Sequence, residues 1–235
     1  LVYIREADFA KIMETVTDAD IPVWISDGVK NDEEDERRRK NEKYDSMMSL
    51  NITLLTGQHL KDYAGPDIYN LSNRAWPMSN YEEINTRKDQ TVGALKEELA
   101  EKFGIEKGAM RLWNFTPRRN NTNRLDSPLL DETKPLGHYL TGNSRYSNHL
   151  CIFLELGTMQ EVTNLHSMLT LKYFNRNNGS LSIIGAFPFH AESTLNDVIS
   201  IYRSILGIHE DVQMEVYEEI KPTRLEIMAP SNTIA

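Results

Sequence analysis

The sequence has a single cysteine, Cys151, among its 235 residues. One cysteine excludes an internal disulfide, whereas secreted domains of this size usually carry several cysteines. The chain also lacks an apolar run long enough to cross a bilayer, and its first residues, which include Arg5, do not form a secretory signal. We therefore expect a soluble protein of the nucleus and cytoplasm with no membrane partner.

Clustered titratable residues are also lacking. The six histidines are scattered along the chain, none is paired with a cysteine nucleophile, and no metal-ligand spacing recurs. Cys151 lies in the apolar run LCIFLEL, so we expect it to be a small buried hydrophobe. The sequence predicts no catalytic residue, no metal site and no cofactor in this chain, and a surface or capping role for each histidine.

An excess of basic residues is lacking as well, since the formal net charge is −9. Acids and bases are equal in number over residues 48–157, whereas acids outnumber bases over residues 1–47 and 158–235. Most acids of the last region lie from Glu210 onward, where only Lys221 and Arg224 oppose them. Nucleic acid is therefore not an expected partner.

Two segments of the chain repeat one pattern. TVGALKEELAEKFGI, from Thr91 to Ile105, aligns without gaps with TLNDVISIYRSILGI, from Thr194 to Ile208. In each, a threonine precedes an apolar stripe spaced three and four residues apart, and a glycine follows the last turn. An alternating apolar run precedes both segments. The sequence therefore predicts two copies of a unit in which a capped helix packs on one face of a sheet.

The first copy resembles ubiquitin. There too a threonine opens the single long helix, a Gly-Ile pair closes it, and an Arg-Leu pair, here Arg111 and Leu112, opens the next strand. The second copy keeps the apolar frame but has Met214 and Glu215 in place of that pair. The resemblance implies an α+β fold of tandem ubiquitin-like β-grasp domains, preceded by a charged connector helix.

The connector is the charged segment before the first strand. Four consecutive acids, residues 33–36, each precede a base by four residues, at positions 37–40. This order is the favourable one for ion pairs along a helix, so we expect a solvated helix. The alternative is an interaction arm for a charged partner, although the interleaved signs cancel most of its field.

Alternation and turn residues predict the remaining elements. In the first unit we expect strands at 50–54, 81–87, 111–115 and 150–156, the last covered on both faces, with a polar loop at 57–80 and an irregular segment at 117–128. In the second unit we expect a hairpin of 169–173 and 181–189 around Asn178-Gly179, and a strand at 212–217. The final, central strand of ubiquitin has no counterpart here. We therefore expect the second domain to be C-terminally incomplete and the natural polypeptide to continue.

Four short motifs carry a closer resemblance, namely LVYIRE at Leu1–Glu6, VTDADIP at Val16–Pro22, RLW at Arg111–Trp113 and YEEIKP at Tyr217–Pro222. In this order they resemble the herpesvirus-associated ubiquitin-specific protease (HAUSP) family, and the divergent connector and loops suggest a fungal member. The resemblance implies a deubiquitinase whose catalytic cysteine and histidine lie upstream of Leu1. It also implies four regions: the last strand of a catalytic domain (1–6), a helical connector (7–47), and two ubiquitin-like domains (48–157 and 158–235).

In that family the second ubiquitin-like domain presents an acidic patch to lysine-rich segments of substrate or regulatory proteins. Glu218 and Glu219 match the family's paired acids before Lys-Pro, and the resemblance assigns them, with Glu215, to partner binding. An acidic ridge attracts lysines through its long-range field, so binding is expected to weaken as salt rises. The alternative is a solvated strand edge without a partner. The protease's own catalytic domain is a further candidate partner.

Trp113 is the fourth candidate for partner binding. It stands where ubiquitin carries the exposed isoleucine of its recognition patch, and alternation with Leu112 predicts that it faces outward. Two roles stay open, namely packing against the connector or neighbouring domain and docking of an external protein. The basic residues Arg118, Arg119 and Arg124 are expected to lie in a solvated loop rather than a phosphate site, since no aromatic residue interleaves them.

These observations predict a non-catalytic, partner-recruiting region of a cysteine-type deubiquitinase that removes ubiquitin from protein substrates. The chain itself is not expected to be an enzyme, because a stand-alone enzyme would need clustered titratable residues. The alternative is a ubiquitin-like scaffold or shuttle protein without protease activity. A conjugated modifier would need a diglycine tail, and this chain ends in Asn-Thr-Ile-Ala.

Overall fold

The computed structural model describes residues 3–15, 17, 20–63, 81–118, 122–140, 148–157, 160–221 and 224–229. The chain divides into two compact units, Leu1–Met47 and Met48–Ala235. The domain boundaries given above stay predictions. Within the described part of the chain, no helix is both long enough and apolar enough to cross a membrane.

The first unit is helical. One 3₁₀ turn at Glu6–Asp8 leads into the short helix α1 (Phe9–Ile12), and the long helix α2 spans Val23–Met48. None of the side chains described in α2 is buried, in agreement with the predicted charged and solvated helix. Five residues of the first two motifs lie outside the described residues: Leu1, Val2, Val16, Asp18 and Ala19.

Ion pairs run along the exposed surface of α2. Lys40 pairs with Glu36 at 2.8 Å, and Arg38 pairs with Asp35 at 2.8 Å and with Glu42 at 3.8 Å. All these side chains are largely exposed to solvent, so water and salt screen each pair and its contribution to helix stability is small. The charges of the connector therefore support a helix, as their spacing predicted.

The second unit begins with a five-stranded mixed sheet and one long helix. The strands lie in the order β2 (Glu82–Arg87), β1 (Ser49–Thr56), β5 (His149–Leu156), β3 (Met110–Pro117) and β4 (Asn123–Pro128), so β5, the last strand of this sheet along the chain, is central. It runs parallel to β1 and antiparallel to β3. This is the β-grasp topology, which confirms the predicted fold class. The elements are β1 (Ser49–Thr56), α3 (Gly57–Asp62), β2 (Glu82–Arg87), α4 (Val92–Phe103), β3 (Met110–Pro117), β4 (Asn123–Pro128) and β5 (His149–Leu156).

The helix α4 begins and ends where its capping pattern predicts. Thr91 is the N-cap, and its Oγ1 accepts a hydrogen bond from the backbone N–H of Ala94 at 3.2 Å. Gly104 ends the helix with φ of 65°, a left-handed conformation that glycine adopts without strain. Leu95 and Leu99 are fully buried, so the apolar stripe of α4 lies in the core, as expected.

Two elements of this sheet region differ from the prediction. Helix α3 occupies the start of the segment expected to be a loop, because Leu60 is fully buried and Thr56 and His59 form a capping box. The rest of that segment, residues 64–80, lies outside the described residues. Strand β4 forms where an irregular segment was expected, because Leu125 is buried in the core and a bulge in β4, opposite Trp113 and Phe115, allows the two strands to pair.

The rest of the second unit repeats the order hairpin, helix, hairpin. The predicted hairpin turns at Gly179, which has φ of 69°. The helix begins with a capping box of Thr194 and Asp197. The strand predicted at 212–217 is wrong in its bounds, since the observed strand begins at Tyr217, where its pairing with Ile227 starts. The elements are β6 (His166–Asn175), β7 (Ser180–His190), α5 (Leu195–Leu206), β8 (Tyr217–Lys221) and β9 (Arg224–Ile227).

Three hydrophobic clusters hold the second unit together. The first combines the face of α4 with Ile152 and Leu154 of β5. The second, the outer-face core, combines Trp113 and Phe153 of the same sheet with Met168 of β6. The third lies between the β6-β7 hairpin and α5. Because β5 contributes to the first two clusters, it is covered on both faces, as predicted.

Candidate protein-interaction site

The three glutamates predicted to bind partners lie close together in the chain at β8. Glu218 and Glu219 belong to β8, and Glu215 precedes this strand by two residues. We call these three residues the acidic segment. Pairing with β9 puts Glu218 opposite Glu226, so two like charges face each other across the hairpin. The three glutamates of the acidic segment differ in their solvent exposure and in the side chains that contact them.

Glu219 is the most shielded member of the acidic segment. Its Oε2 accepts a hydrogen bond from Nζ of Lys172 on β6, and the two side chains are only 18% and 17% exposed. A pair of charges with so little solvent access supports the local fold, because removing one partner leaves the other poorly solvated. The structure therefore places Glu219 in an internal ion pair rather than on an open surface.

Glu218 is more accessible than Glu219. Its Oε1 lies 3.6 Å from Nη1 of Arg124 on β4, and the two side chains are 45% and 37% exposed. The same arginine donates through Nη2 to the backbone carbonyl of Glu219. Glu218 thus has one cation beside it and retains solvent access for a second.

Two basic residues contact β8, one on β4 and one directly after β3. In addition to the contacts of Arg124, Arg118 Nη1 donates to the backbone carbonyl of Ile220 at 3.1 Å. The expectation that Arg118 and Arg124 belong to a solvated loop is therefore wrong, and Arg119 lies outside the described residues. In the sequence, these arginines and the acidic segment carry opposite charges. Charge alone does not predict which segments of the chain come into contact.

Glu215 lies outside the strand and is exposed. Its Oε2 accepts a hydrogen bond from the hydroxyl of Tyr217 at 2.9 Å. This bond to the neutral phenol raises the pKa of Tyr217 above its usual range. The contact leaves the Glu215 carboxylate at the protein surface, where a cationic partner has access to it.

Trp113 does not lie on the surface. It points to the face of the sheet opposite Leu112, as alternation predicts, but its side chain is 0% exposed. The outer-face core surrounds it, and its Nε1 donates to Oε2 of Glu155 at 2.6 Å. The expected exposure is therefore wrong, because the β6-β7 hairpin covers this face. Of its two proposed roles, packing against the neighbouring repeat agrees with this position, whereas docking of an external protein does not.

Cys151 has the surroundings of a structural thiol. It packs at the margin of the outer-face core, and its Sγ lies 3.9 Å from Nδ1 of His149, whose Nε2 is 2.8 Å from Oγ1 of Thr53. Burial raises the pKa of Cys151 to about 12. The thiolate needed of a nucleophile is thus disfavoured at neutral pH. Among the described residues, no group of three or more metal-ligating side chains is arranged to hold a metal ion.

Several histidines cap local backbone turns, as predicted. His59 Nδ1 accepts from the backbone N–H of Thr56 at 3.0 Å, and His166 Nδ1 accepts from that of Thr163 at 3.1 Å. His190 accepts in the same way from the N–H of Glu192 at 3.2 Å. These bonds give the three imidazoles a structural role.

Comparison with known proteins agrees with this architecture. The family described as the ICP0-binding domain of ubiquitin-specific protease 7 matches residues 110–235, which is more than half of the chain. Ubiquitin C-terminal hydrolase 12 of Arabidopsis thaliana is 25% identical over 234 residues, which cover 94% of this chain and 20% of that protein. Ubiquitin carboxyl-terminal hydrolase 5 of Schizosaccharomyces pombe is 20% identical over 242 residues, covering 99% and 22%. The chain thus spans about a fifth of the length of these relatives.

One solved structure shows a weaker likeness. The C-terminal ubiquitin-like domain of mouse tubulin-specific chaperone e is 15% identical and covers 49% of this chain and 91% of that domain, with a TM-score of 0.29. The strand order and the strand pairing of the five-stranded sheet are those of a β-grasp fold.

Proposed function

Because the chain belongs to the family of the ICP0-binding domain of ubiquitin-specific protease 7, we propose that it is a non-catalytic, partner-recruiting region of a ubiquitin-specific cysteine protease. The relatives named above are ubiquitin hydrolases, and the chain spans about a fifth of their length. We therefore assign removal of ubiquitin from protein substrates to the parent protein. The observation that carries the proposal is the family match, since residues 110–235 include the whole acidic segment.

The proposed partners are lysine-rich segments of substrate or regulatory proteins. Glu215 and Glu218 keep solvent access, and their like charges lie close together in the chain, so they attract ammonium groups. Glu219 is less suited to this role, because Lys172 already shields its carboxylate. We therefore assign partner binding mainly to Glu215 and Glu218. The field of such exposed charges is screened by salt, so affinity falls as ionic strength rises.

The buried position of Trp113 argues against a ubiquitin-like shuttle. Such a protein would present the sheet face on which ubiquitin carries its recognition patch. In this chain the outer-face core occupies that face, and Trp113 is 0% exposed. A partner cannot reach the face unless the β6-β7 hairpin separates from the first sheet. We therefore favour recruitment through the acidic segment over imitation of ubiquitin.

The test is calorimetric titration of a lysine-rich peptide into the full-length protein at low and high salt. We expect micromolar binding that weakens with salt, and about a 10-fold loss of affinity in the double variant Glu215→Gln with Glu218→Gln. The matched control is Glu101→Gln, which removes one exposed carboxylate from α4, away from β8. Binding that is absent, or that both the control and the double variant weaken equally, would show that the acidic segment is not the site.

A further inference from the structure

The hairpin of β8 and β9 presents one apolar side to solvent. Val216, directly before β8, and Met228, directly after β9, pack in the third hydrophobic cluster. Because side chains alternate along a strand, the neighbouring Tyr217 and Ile227 point to the other side of the hairpin. These two residues are paired across it, and Leu225 lies two positions from Ile227 on the same side. We call Tyr217, Leu225 and Ile227 the β8-β9 face.

The β8-β9 face is exposed although it is apolar. Tyr217, Leu225 and Ile227 are 49%, 63% and 65% exposed. The apolar residues of α5 in the third hydrophobic cluster, such as Leu195 and Val198, are almost fully buried. Single exposed apolar residues are common, whereas adjacent ones bordered by charged groups are typical of an interaction surface. The surroundings of the β8-β9 face therefore indicate what it contacts.

Carboxylates border the β8-β9 face. Glu215 accepts its hydrogen bond from the hydroxyl of Tyr217, so one carboxylate lies directly at the end of the phenol ring. Glu218 and Glu226 are paired across the hairpin and are 45% and 48% exposed. Arg224 forms an ion pair with Glu226 and balances part of this charge. The field of these acids reaches over the neighbouring apolar side chains, because it decays over about 10 Å at moderate salt.

From this arrangement we propose that the β8-β9 face is the docking surface for an apolar side chain of the lysine-rich partner. The inference rests on the function proposed above and specifies the partner: an extended segment that carries a large apolar residue close to its lysines. The acidic border selects this occupant by charge. A neutral apolar segment gains nothing from the carboxylates, and an acidic segment is repelled by them.

The geometry of the hairpin sets the spacing within the partner. A lysine that reaches Glu215 also lies beside the ring of Tyr217, where a cation–π attraction adds to the ion pair. Leu225 is the diagonal neighbour of Tyr217 across the hairpin, and such pairs lie about 7–8 Å apart. An extended chain advances about 3.3 Å per residue. The apolar residue therefore lies about two positions from the lysine, on the same side of the partner segment.

Calorimetric titration of two matched lysine-rich peptides into the full-length protein tests the proposal. The peptides differ only at one position, two residues from a lysine, which is leucine in one and serine in the other. We expect the leucine peptide to bind about 5- to 10-fold more tightly, because its side chain is removed from water on the β8-β9 face. High salt should weaken both peptides and leave this ratio in place, since apolar burial is not screened.

Two variants locate the apolar contact. The double variant Leu225→Ser with Ile227→Ser should reduce the ratio between the two peptides to about 1. The matched control is Leu165→Ser, which removes an apolar side chain of similar exposure ahead of β6. This control should keep the full ratio.

Equal affinity of the unchanged protein for both peptides would overturn the proposal, and that comparison does not depend on the folding of any variant. A leucine preference that the double variant retains would overturn it as well. Sedimentation that shows a dimer, lost in the double variant, would assign the β8-β9 face to a second copy of the chain, with the same consequence. Failure of the proposed function is distinguishable, because the serine peptide would then not bind or would bind regardless of salt, and that result would overturn both proposals.

Discussion

The indole N–H of Trp113 and the carboxylate of Glu155 form a hydrogen bond of 2.6 Å between neighbouring strands β3 and β5. Arg111 donates to the same carboxylate oxygen at 3.3 Å, and its guanidinium lies 5.9 Å from the centre of the Trp113 ring. The polar atom of a fully buried indole therefore has a charged acceptor, as buried polar groups require. This arrangement lets Trp113 fill the core between the two repeats without an unsatisfied donor.

Trp113→Ala is expected to lower the free energy of unfolding by about 3–5 kcal/mol, because it empties the centre of the outer-face core. Trp113→Phe should cost less, since it keeps most of the apolar contact and removes the N–H donor to Glu155. Urea unfolding measures both. Leu156→Ala is the matched control, because this β5 side chain is 47% exposed and its loss should cost less than about 1 kcal/mol. A loss of that small size for Trp113→Ala would contradict a central packing role.

The two acids of β8 should differ in their effect on stability. Glu219→Gln is expected to cost about 1–3 kcal/mol, because it leaves the mostly shielded Lys172 ammonium without its carboxylate. Glu218→Gln should cost at most about 1 kcal/mol, since its contact with Arg124 is solvent-exposed and screened. Chemical unfolding at low and high salt gives both values. Equal losses of unfolding free energy in the two variants would contradict the difference in solvent exposure between the two ion pairs.

Cys151 should resist alkylation in the folded protein. Because burial raises its pKa to about 12, only about one thiol in 10⁴ is ionised near pH 8. We expect slow reaction with iodoacetamide in the native state and rapid reaction after unfolding in urea, where the thiol pKa returns to about 8.5. Mass spectrometry over time follows the reaction. Fast labelling of the native protein would contradict the shielded surroundings of this partly buried thiol.

Tyr202 should make stability fall at high pH. Burial raises its pKa from 10.0 to about 12, so the folded state favours the neutral phenol. This contribution is fully present below pH of about 10, where both states keep the proton, and is lost progressively as pH rises toward about 12. At pH of about 8, Tyr202→Phe should be less stable than the unchanged protein, because Lys172 loses both bonds to the hydroxyl. As pH rises, however, the variant should lose less stability than the unchanged protein. Cys151 titrates over a similar range in both proteins, so its effect cancels in the comparison.

Elements with local signals were predictable from the sequence. The N-cap Thr91 and the terminal Gly104 define α4 through contacts within a few residues, and Thr194 and Gly207 do the same for α5. Strand β5 was recognisable because its apolar residues form a continuous run, which is typical of a strand that is covered on both faces. Strand β4 was missed, because its pairing depends on a bulge opposite Trp113 that leaves no regular alternation.

The candidate site was predictable only in part. The acidic segment was found from short motifs, but the cations that reach it come from distant parts of the chain, Arg124 on β4 and Lys172 on β6. No local sequence pattern predicts such long-range ion pairs, because any of many acidic residues could pair with any of many basic residues. The same limit applies to Trp113. Alternation predicted the face of the sheet to which its side chain points, but the hairpin that buries this face lies more than fifty residues away in the sequence.

The sequence by itself determined the two capped helices, the hairpin at Gly179, the charged connector helix and the order of elements that defines a repeated β-grasp unit. Each of these depends on backbone preferences and apolar spacing within one element. Only the tertiary structure decided that the outer face of the first sheet is buried, that Glu219 is held by Lys172 while Glu218 stays accessible, and that one apolar side of the β8-β9 hairpin is exposed. These features depend on which surfaces meet after the elements have formed, and that choice is made by burial and packing across long sequence distances.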